Sequence, residues 1–331
     1  MSTKKCVSRA VMALAAAIAL NISSAPASAQ SVELRLGTGT PPSHVWTRAA
    51  ERLATQMAER TDGEVRISVF PASQLGAEND LLQQIQVGVV DMGVISAAAA
   101  SARAPAFLAW FSPFALGSVE DAISAASSGI ATEILGTLEP QGIRGVGYVF
   151  AGMRHILMAD KRVASLEDLG NQKIRITPFP GMQVWWSAAG AVPTPVQLGD
   201  VYQSLESGLL DGVDIDLDAL AGLSLQQVAG HLVLTNHMAF PGVVMIGAGS
   251  WNKMSAEQQA VFNEVLGDTL AWAADLQITV EKELLEKLEA EIEVSRLENA
   301  GALFAPANEA FNEAFSSIPE VVRFQNEIAG Q

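Results

Sequence analysis

The chain has 331 residues, with 36 Asp and Glu against 20 Lys and Arg and a single cysteine. So acidic a balance repels phosphate backbones and anionic headgroups, which excludes nucleic acid as a natural partner. One thiol excludes an internal disulfide.

Lys4, Lys5 and Arg9, then the apolar run Val11 to Ile22, then Ala27-Ser28-Ala29 form the three-part pattern of a secretory signal peptide over residues 1–29. The apolar run is about a dozen residues, short of the roughly 20 that span a membrane. A soluble, exported protein is expected. Cys6 lies inside this leader, after Lys5 and without the apolar and small residues that precede a lipid-attachment cysteine, so the mature chain has no thiol. Removing 29 of 331 residues leaves 302, more than one core usually organises, and two domains are expected. The leader holds three of the 20 basic residues and no acidic one, which leaves 17 against 36, a net charge of −19.

Val32, Leu34 and Leu36 alternate with polar or small residues as in a half-buried strand, and Thr38 to Ser43 make a loop. Trp46, Ala50, Leu53 and Met57 recur at helical spacing up to Thr61-Asp62-Gly63. Val65, Ile67 and Val69 give a second strand that Pro71 stops. A helix over Asp80 to Val87 and a strand over Val89 to Ile95 complete β-α-β-α-β, which implies a parallel sheet covered by helices. Ala97 to Ala106 reads as a loop and helix start. Ser118 caps a helix running to Leu138, and the strand Ile143 to Phe150 follows.

A second α/β unit has a short helix from Ser165, a strand Lys173 to Thr177, helices over Gly181 to Ala189 and Asp200 to Ser207, and a strand Gly212 to Ile215. Leu232 to Leu234 and Val243 to Ile246 read as strands that return the chain across the middle. From Ser255, with Gln258 completing a capping box, apolar residues recur to about Asn299 without a proline. This is either two helices broken near Gly267 or one helix, roughly 65 Å long, that ties both domains together. The expected division is 30–151 plus about 240–279 for one domain, 152–239 plus about 280–306 for the other, and a C-terminal helix in 307–331 packed back on the body.

No GxSxG, P-loop, HExxH or dinucleotide fingerprint is present, and His44, His155, His231 and His237 lack ligand spacing. No catalytic residue, metal site or cofactor is assigned. Arg175 stands between Ile174 and Ile176 in an apolar strand, where an unpaired guanidinium is costly to bury. Its partner is either an internal carboxylate, Asp214 or Asp168, or the carboxylate of a ligand held by the guanidinium fork. Arg154, just after the strand Ile143 to Phe150, is either a second such cation or a solvated loop residue. If their strand alternates, Asp214, Asp216 and Asp218 share one face. They either cap the following helix or accept bonds from hydroxyls or an ammonium. Of the adjacent Trp185 and Trp186, at most one faces a ligand.

Three segments resemble the DctP family of periplasmic solute-binding proteins from tripartite ATP-independent periplasmic (TRAP) transporters. They are Phe70 to Gly76 with Leu82 to Asp91, the run Asp168-Leu169-Gly170-Asn171-Gln172-Lys173-Ile174-Arg175, and Gly190 to Pro195 through Asp200 to Leu205 to Gly208-Leu209-Leu210-Asp211-Gly212. The resemblance covers almost the whole mature chain. It implies two α/β domains closing on a ligand in the cleft between them, with a single long helix spanning both. Arg175 would hold a ligand carboxylate and Arg154 would give a second cationic contact. Asp214, Asp216, Trp185, Pro178, Leu198, Ser96 and Thr38 would stand among the lining residues. The sequence departs from the family at Ile215, where an amide is common, and at Ser96, where some relatives have an acid. The implied function is a periplasmic receptor that delivers a small organic acid to the small and large membrane subunits of a TRAP permease. The alternatives are a receptor for an ATP-driven permease or a chemosensor, and a secreted lyase or isomerase using the three aspartates.

Overall fold

The computed structural model describes residues 31–329; the expected leader lies outside the described residues. The alternating residues at the start form β1 (Val32–Thr38), which pairs in parallel with β2 (Val65–Phe70) and β3 (Met92–Ser96). The helices Val45–Arg60 and Glu78–Gln86 make the crossovers. The sheet is mixed, because β10 (Ala239–Gly247) enters antiparallel between β3 and β4 (Ile143–Met153), giving the order β2-β1-β3-β10-β4. A purely parallel sheet is thus corrected: β10 arrives from the other lobe and runs home against β3 and β4.

The second sheet has the order β11-β9-β5-β8-β6-β7. Its strands are β5 (His155–Met158), β6 (Lys173–Ile176), β7 (Val192–Pro195), β8 (Gly212–Ile215), β9 (His231–Leu234) and β11 (Glu293–Arg296). Here β6 pairs in parallel with β7 and β8, whereas β5 runs antiparallel to β8 and β9. Two apolar clusters fill the body, the smaller one centred on Val213, Ile215, Leu220, Leu232 and Leu288 in the second lobe.

Several boundaries move. The expected helix from Ser118 is two, Val119–Ala125 and Gly129–Gly136, because Ser128 caps the second through the Ala131 N–H. The long helix is continuous through Gly267 from Ala256 to Glu291, 36 residues, about 54 Å. It stops short of Asn299 because Ile292 turns extended and Glu293–Arg296 form β11, which pairs with β9. The C-terminal region holds two helices, Ala305–Phe315 and Pro319–Ala329. Among the described residues no helix is long and apolar enough to cross a membrane.

The chain crosses between the lobes where β4 runs through Arg154 into β5, where β9 returns through Thr235–Met238 into β10, and along the long helix. Arg154 donates its backbone N–H to the Met238 carbonyl at 2.8 Å, which ties the first two crossings together. Gly152, at φ +98°, is required there: a Cβ would come within 2.7 Å of Glu281 Oε2 on the long helix. That oxygen is buried without a hydrogen-bond partner. Burial, only partly offset by the Met153 backbone and Gln277, raises the Glu281 carboxyl from 4.5 to about 7. A raised folded value means that its contribution to stability is complete below the unfolded value and is lost as pH rises through about 7. Glu281→Gln is therefore expected to raise the melting temperature by a few degrees at pH 8 and to leave it nearly unchanged at pH 4.5, as thermal melts at the two pH values would show.

Candidate functional site

A cavity lies between the lobes, at the crossover strands. The first lobe supplies Thr40, His44, Trp46, Ser73 and Glu78 to its wall, and the second supplies Arg175, Thr177, Pro178, Gln197, Leu198 and Asp216. Ala151, Arg154 and Phe240 close the back at the crossover strands.

Arg175 occupies the third position of β6, with Ile174 and Ile176 fully buried on the opposite face. Arg175 is 3% exposed. Its one protein hydrogen bond among the described residues runs from Nε to the Val196 carbonyl, 2.9 Å, and it forms no salt bridge. Asp214 is taken by Arg154, and Asp168 accepts the N–H groups of Ala164 and Ser165 in a capping box. Burial and the neighbouring Arg154 lower the Arg175 pKa to about 10, against the attraction of Asp214, Glu78 and Asp216. A cation so placed favours an incoming anion.

Arg154 is 2% exposed and in the opposite condition. Its Nε donates to Asp214 Oδ1, one terminal nitrogen donates to the Asp214 carbonyl, and the other reaches Asp216 Oδ2 at 3.0 Å. Its Cζ stands 4.3 Å from the Phe240 ring centroid. Arg154 therefore faces the cavity with its charge largely neutralised.

The three aspartates do not share one face. Asp214 points down into the second lobe, where Trp186 Nε1 donates to it at 2.7 Å and His237 Nε2 lies at 2.9 Å. Burial alone would raise its carboxyl, but Arg154, His237 and the hydrogen bonds from His237 and Trp186 hold it well below the usual range. Asp216 is the N-cap of the helix Leu217–Gly222, accepting the Ala219 N–H at 2.8 Å, and it lines the cavity. Asp218 turns to the first lobe and accepts the Val45 N–H at 2.7 Å. The alternation ends where the helix begins.

Of the residues singled out in the sequence, Arg175, Arg154, Asp216, Pro178 and Leu198 meet in the cavity wall. Asp214 lies behind it. Trp185 is fully buried core: its Nε1 donates to Asn308 on the C-terminal helix, and its ring stacks on His237 at 4.8 Å and Phe304 at 4.7 Å. Trp186 is equally buried, so neither indole reaches the cavity. Ser96 is withdrawn because it caps the short helix Ala97–Ala100 and donates its Oγ to Glu78 at 2.6 Å. Thr38 stands one layer back, 3.1 Å from the Thr40 hydroxyl.

Glu78 escaped the sequence reading. It lies in the first turn of its helix, two residues before the expected start, and both its oxygens are held by Ser96, through the N–H at 2.7 Å and the hydroxyl at 2.6 Å. Burial raises its carboxyl, with the Ser96 bonds and Arg175 opposing. His44 and Trp46 were also missed as wall residues, His44 because a cap explains it: its Nδ1 accepts the Trp46 N–H at 3.1 Å.

The family model for bacterial extracellular solute-binding proteins, family 7 (DctP), matches residues 36–318. The chain belongs to the DctP family. It is thus an extracellular solute receptor of the TRAP type, with a ligand cleft between two lobes. A solute-binding protein of Roseobacter denitrificans is 30% identical over 239 residues, 72% of this chain and 73% of the relative. A TRAP periplasmic solute-binding protein of a Bradyrhizobium species, in complex with α/β-D-galacturonate, superposes with a TM-score of 0.85 at 25% identity, over 90% of this chain and 100% of its own. The sugar acid binding protein of Advenella mimigardefordensis, in complex with galactonate, has the same fold, with a TM-score of 0.86 at 20% identity, over 91% of this chain and 99% of its own.

Asp214→Ala would leave Arg154 and His237 buried without their partner, at a cost of about 3–5 kcal/mol. The melting temperature is expected to fall by roughly 6 °C or more. Trp185→Phe loses one buried hydrogen bond and should leave solute affinity unchanged, measured by calorimetry.

Proposed function

We propose that this receptor binds a sugar acid, with Arg175 gripping the single carboxylate through its two free terminal nitrogens and Arg154 contributing a minor second contact. The observation that carries the reading is the buried Arg175 with no carboxylate partner. The remaining wall argues for the rest of the solute. Glu78 and Asp216 stand on opposite walls as fixed acceptors, suited to hydroxyl donors and repulsive to a second carboxylate. Thr40, Ser73, Thr177 and Gln197 add neutral hydrogen-bonding groups. The relatives that hold galacturonate and galactonate support the same class.

The role is that of a receptor, not an enzyme: Asp214 and Asp218 are held by Arg154 and the Val45 N–H, away from the cavity wall. We also propose the division into 30–151 with about 240–279, and 152–239 with about 280–306, with a C-terminal segment from 307; the crossings support it. We assign residues 1–29 as the export signal, the periplasm as the location, and the small and large TRAP membrane subunits as the partners that receive the solute.

Thermal-shift measurements test the reading. D-galacturonate and D-gluconate are expected to raise the melting temperature by several degrees at saturating concentration, and succinate to leave it unchanged. Arg175→Lys should lose most of that shift, because a point charge cannot reproduce the planar fork. A larger shift with succinate, or a full shift in Arg175→Lys, would overturn it.

A further inference from the structure

Outside the cavity wall, the lobes meet at the helix Leu217–Gly222. Asp218 Oδ2 accepts the backbone N–H of Val45 at 2.7 Å from across the cleft. Val45 opens the helix Val45–Arg60, and a first-turn N–H has no acceptor within its own helix. The N-cap residue His44 serves the Trp46 N–H instead. The first lobe therefore presents a helix-terminal donor, with the positive end of the helix dipole behind it, whose acceptor belongs to the second lobe. Four residues on, Gly222 makes the close approach possible: a Cβ there would come within 2.9 Å of Pro41 Cγ and 3.2 Å of Ser43 Oγ. Asp216 and Ala219 of the same helix line the cavity, but Asp218 and Gly222 do not.

We propose that Asp218 is a closing latch, a positioning residue that sets the balance between open and closed lobes without touching the solute. In an open receptor the Val45 N–H and the Asp218 carboxylate are both hydrated; only in the closed form do they meet, beside His44. The bond therefore favours closure by the same amount whatever fills the cavity. Apparent affinity scales with the population of the binding-competent form, so losing the latch weakens every solute by one common factor. The inference rests on cleft closure around a solute, as in the function proposed above, but not on which acid is bound.

The test compares the native protein with Asp218→Ala, Asp218→Asn and Gly222→Ala, the last placing a methyl between the lobes. Calorimetry with D-galacturonate and with D-gluconate is expected to show both affinities about tenfold weaker in Asp218→Ala, with their ratio unchanged. Asp218→Asn, which keeps an acceptor oxygen, should recover part of the loss, and Gly222→Ala should weaken both acids alike. Amide exchange at Val45 in the solute-free protein is expected to be faster in Asp218→Ala, with exchange in the core strand β3 unaltered. This second measurement decides the matter even if neither acid binds the native protein, an outcome that would count against the proposed solute class alone. Loss confined to one acid would assign Asp218 to the solute and overturn the latch. So would unchanged Val45 exchange in Asp218→Ala.

Discussion

Two guanidiniums are buried side by side at the meeting of the lobes, and the site depends on their being treated differently. A buried arginine is tolerated only with hydrogen-bonded counter-charge. Arg154 has this from Asp214 and Asp216, at the point where β4 passes into β5. Arg175 has only a backbone carbonyl. The neighbouring network, in which Asp214 is held by Trp186 and His237, keeps that carboxylate on Arg154 and away from Arg175. Unmet charge is thus localised on one side chain, facing the cavity between the lobes.

The supporting parts follow from that division. Thr235 donates its hydroxyl to the Arg154 carbonyl and sits 2.7 Å from His237 Nδ1, so the returning crossover is tied to the arginine it passes. Burial, His237 and Arg154 push the pKa of His155 down to about 3, against the pull of Asp216; its neutral ring accepts the Thr235 and Asn236 N–H groups. The His155 ring therefore adds no cation to compete with Arg175. The second lobe contributes the arginine with Thr177, Pro178, Gln197 and Leu198, and the first closes over it with Glu78 already fixed by Ser96.

Local pattern made much of this legible. The alternation around Arg175 marked a strand with one charged interruption, and the capping box at Ser255 marked the start of the long helix. Features set by distant partners were not. Nothing near Trp185 announces that Asn308 will hold its indole nitrogen, and nothing near Asp218 announces Val45. The direction of β10 depends on its arriving from the second lobe, which periodicity does not encode. Glu78 was lost to a helix boundary misplaced by two residues, and His44 to a local capping role that leaves its position on the cavity wall unsuspected. The aspartate run misled because a two-residue period was extended through the point at which Asp216 becomes an N-cap.

The placement of β10 and β11 bears on how the molecule is made. The central pairing of the first sheet waits for residues 239–247, and the edge of the second waits for residues 293–296, beyond the long helix. Neither lobe can be completed from one contiguous stretch of chain. Contacts of such long sequence separation slow folding, since loop-closure entropy is met before the pairing rewards it. Nearly the whole polypeptide must be available before either sheet is finished. A chain with this order of strands cannot complete either sheet until most of it has been made, and an incomplete fold is the state in which a polypeptide can be threaded across a membrane.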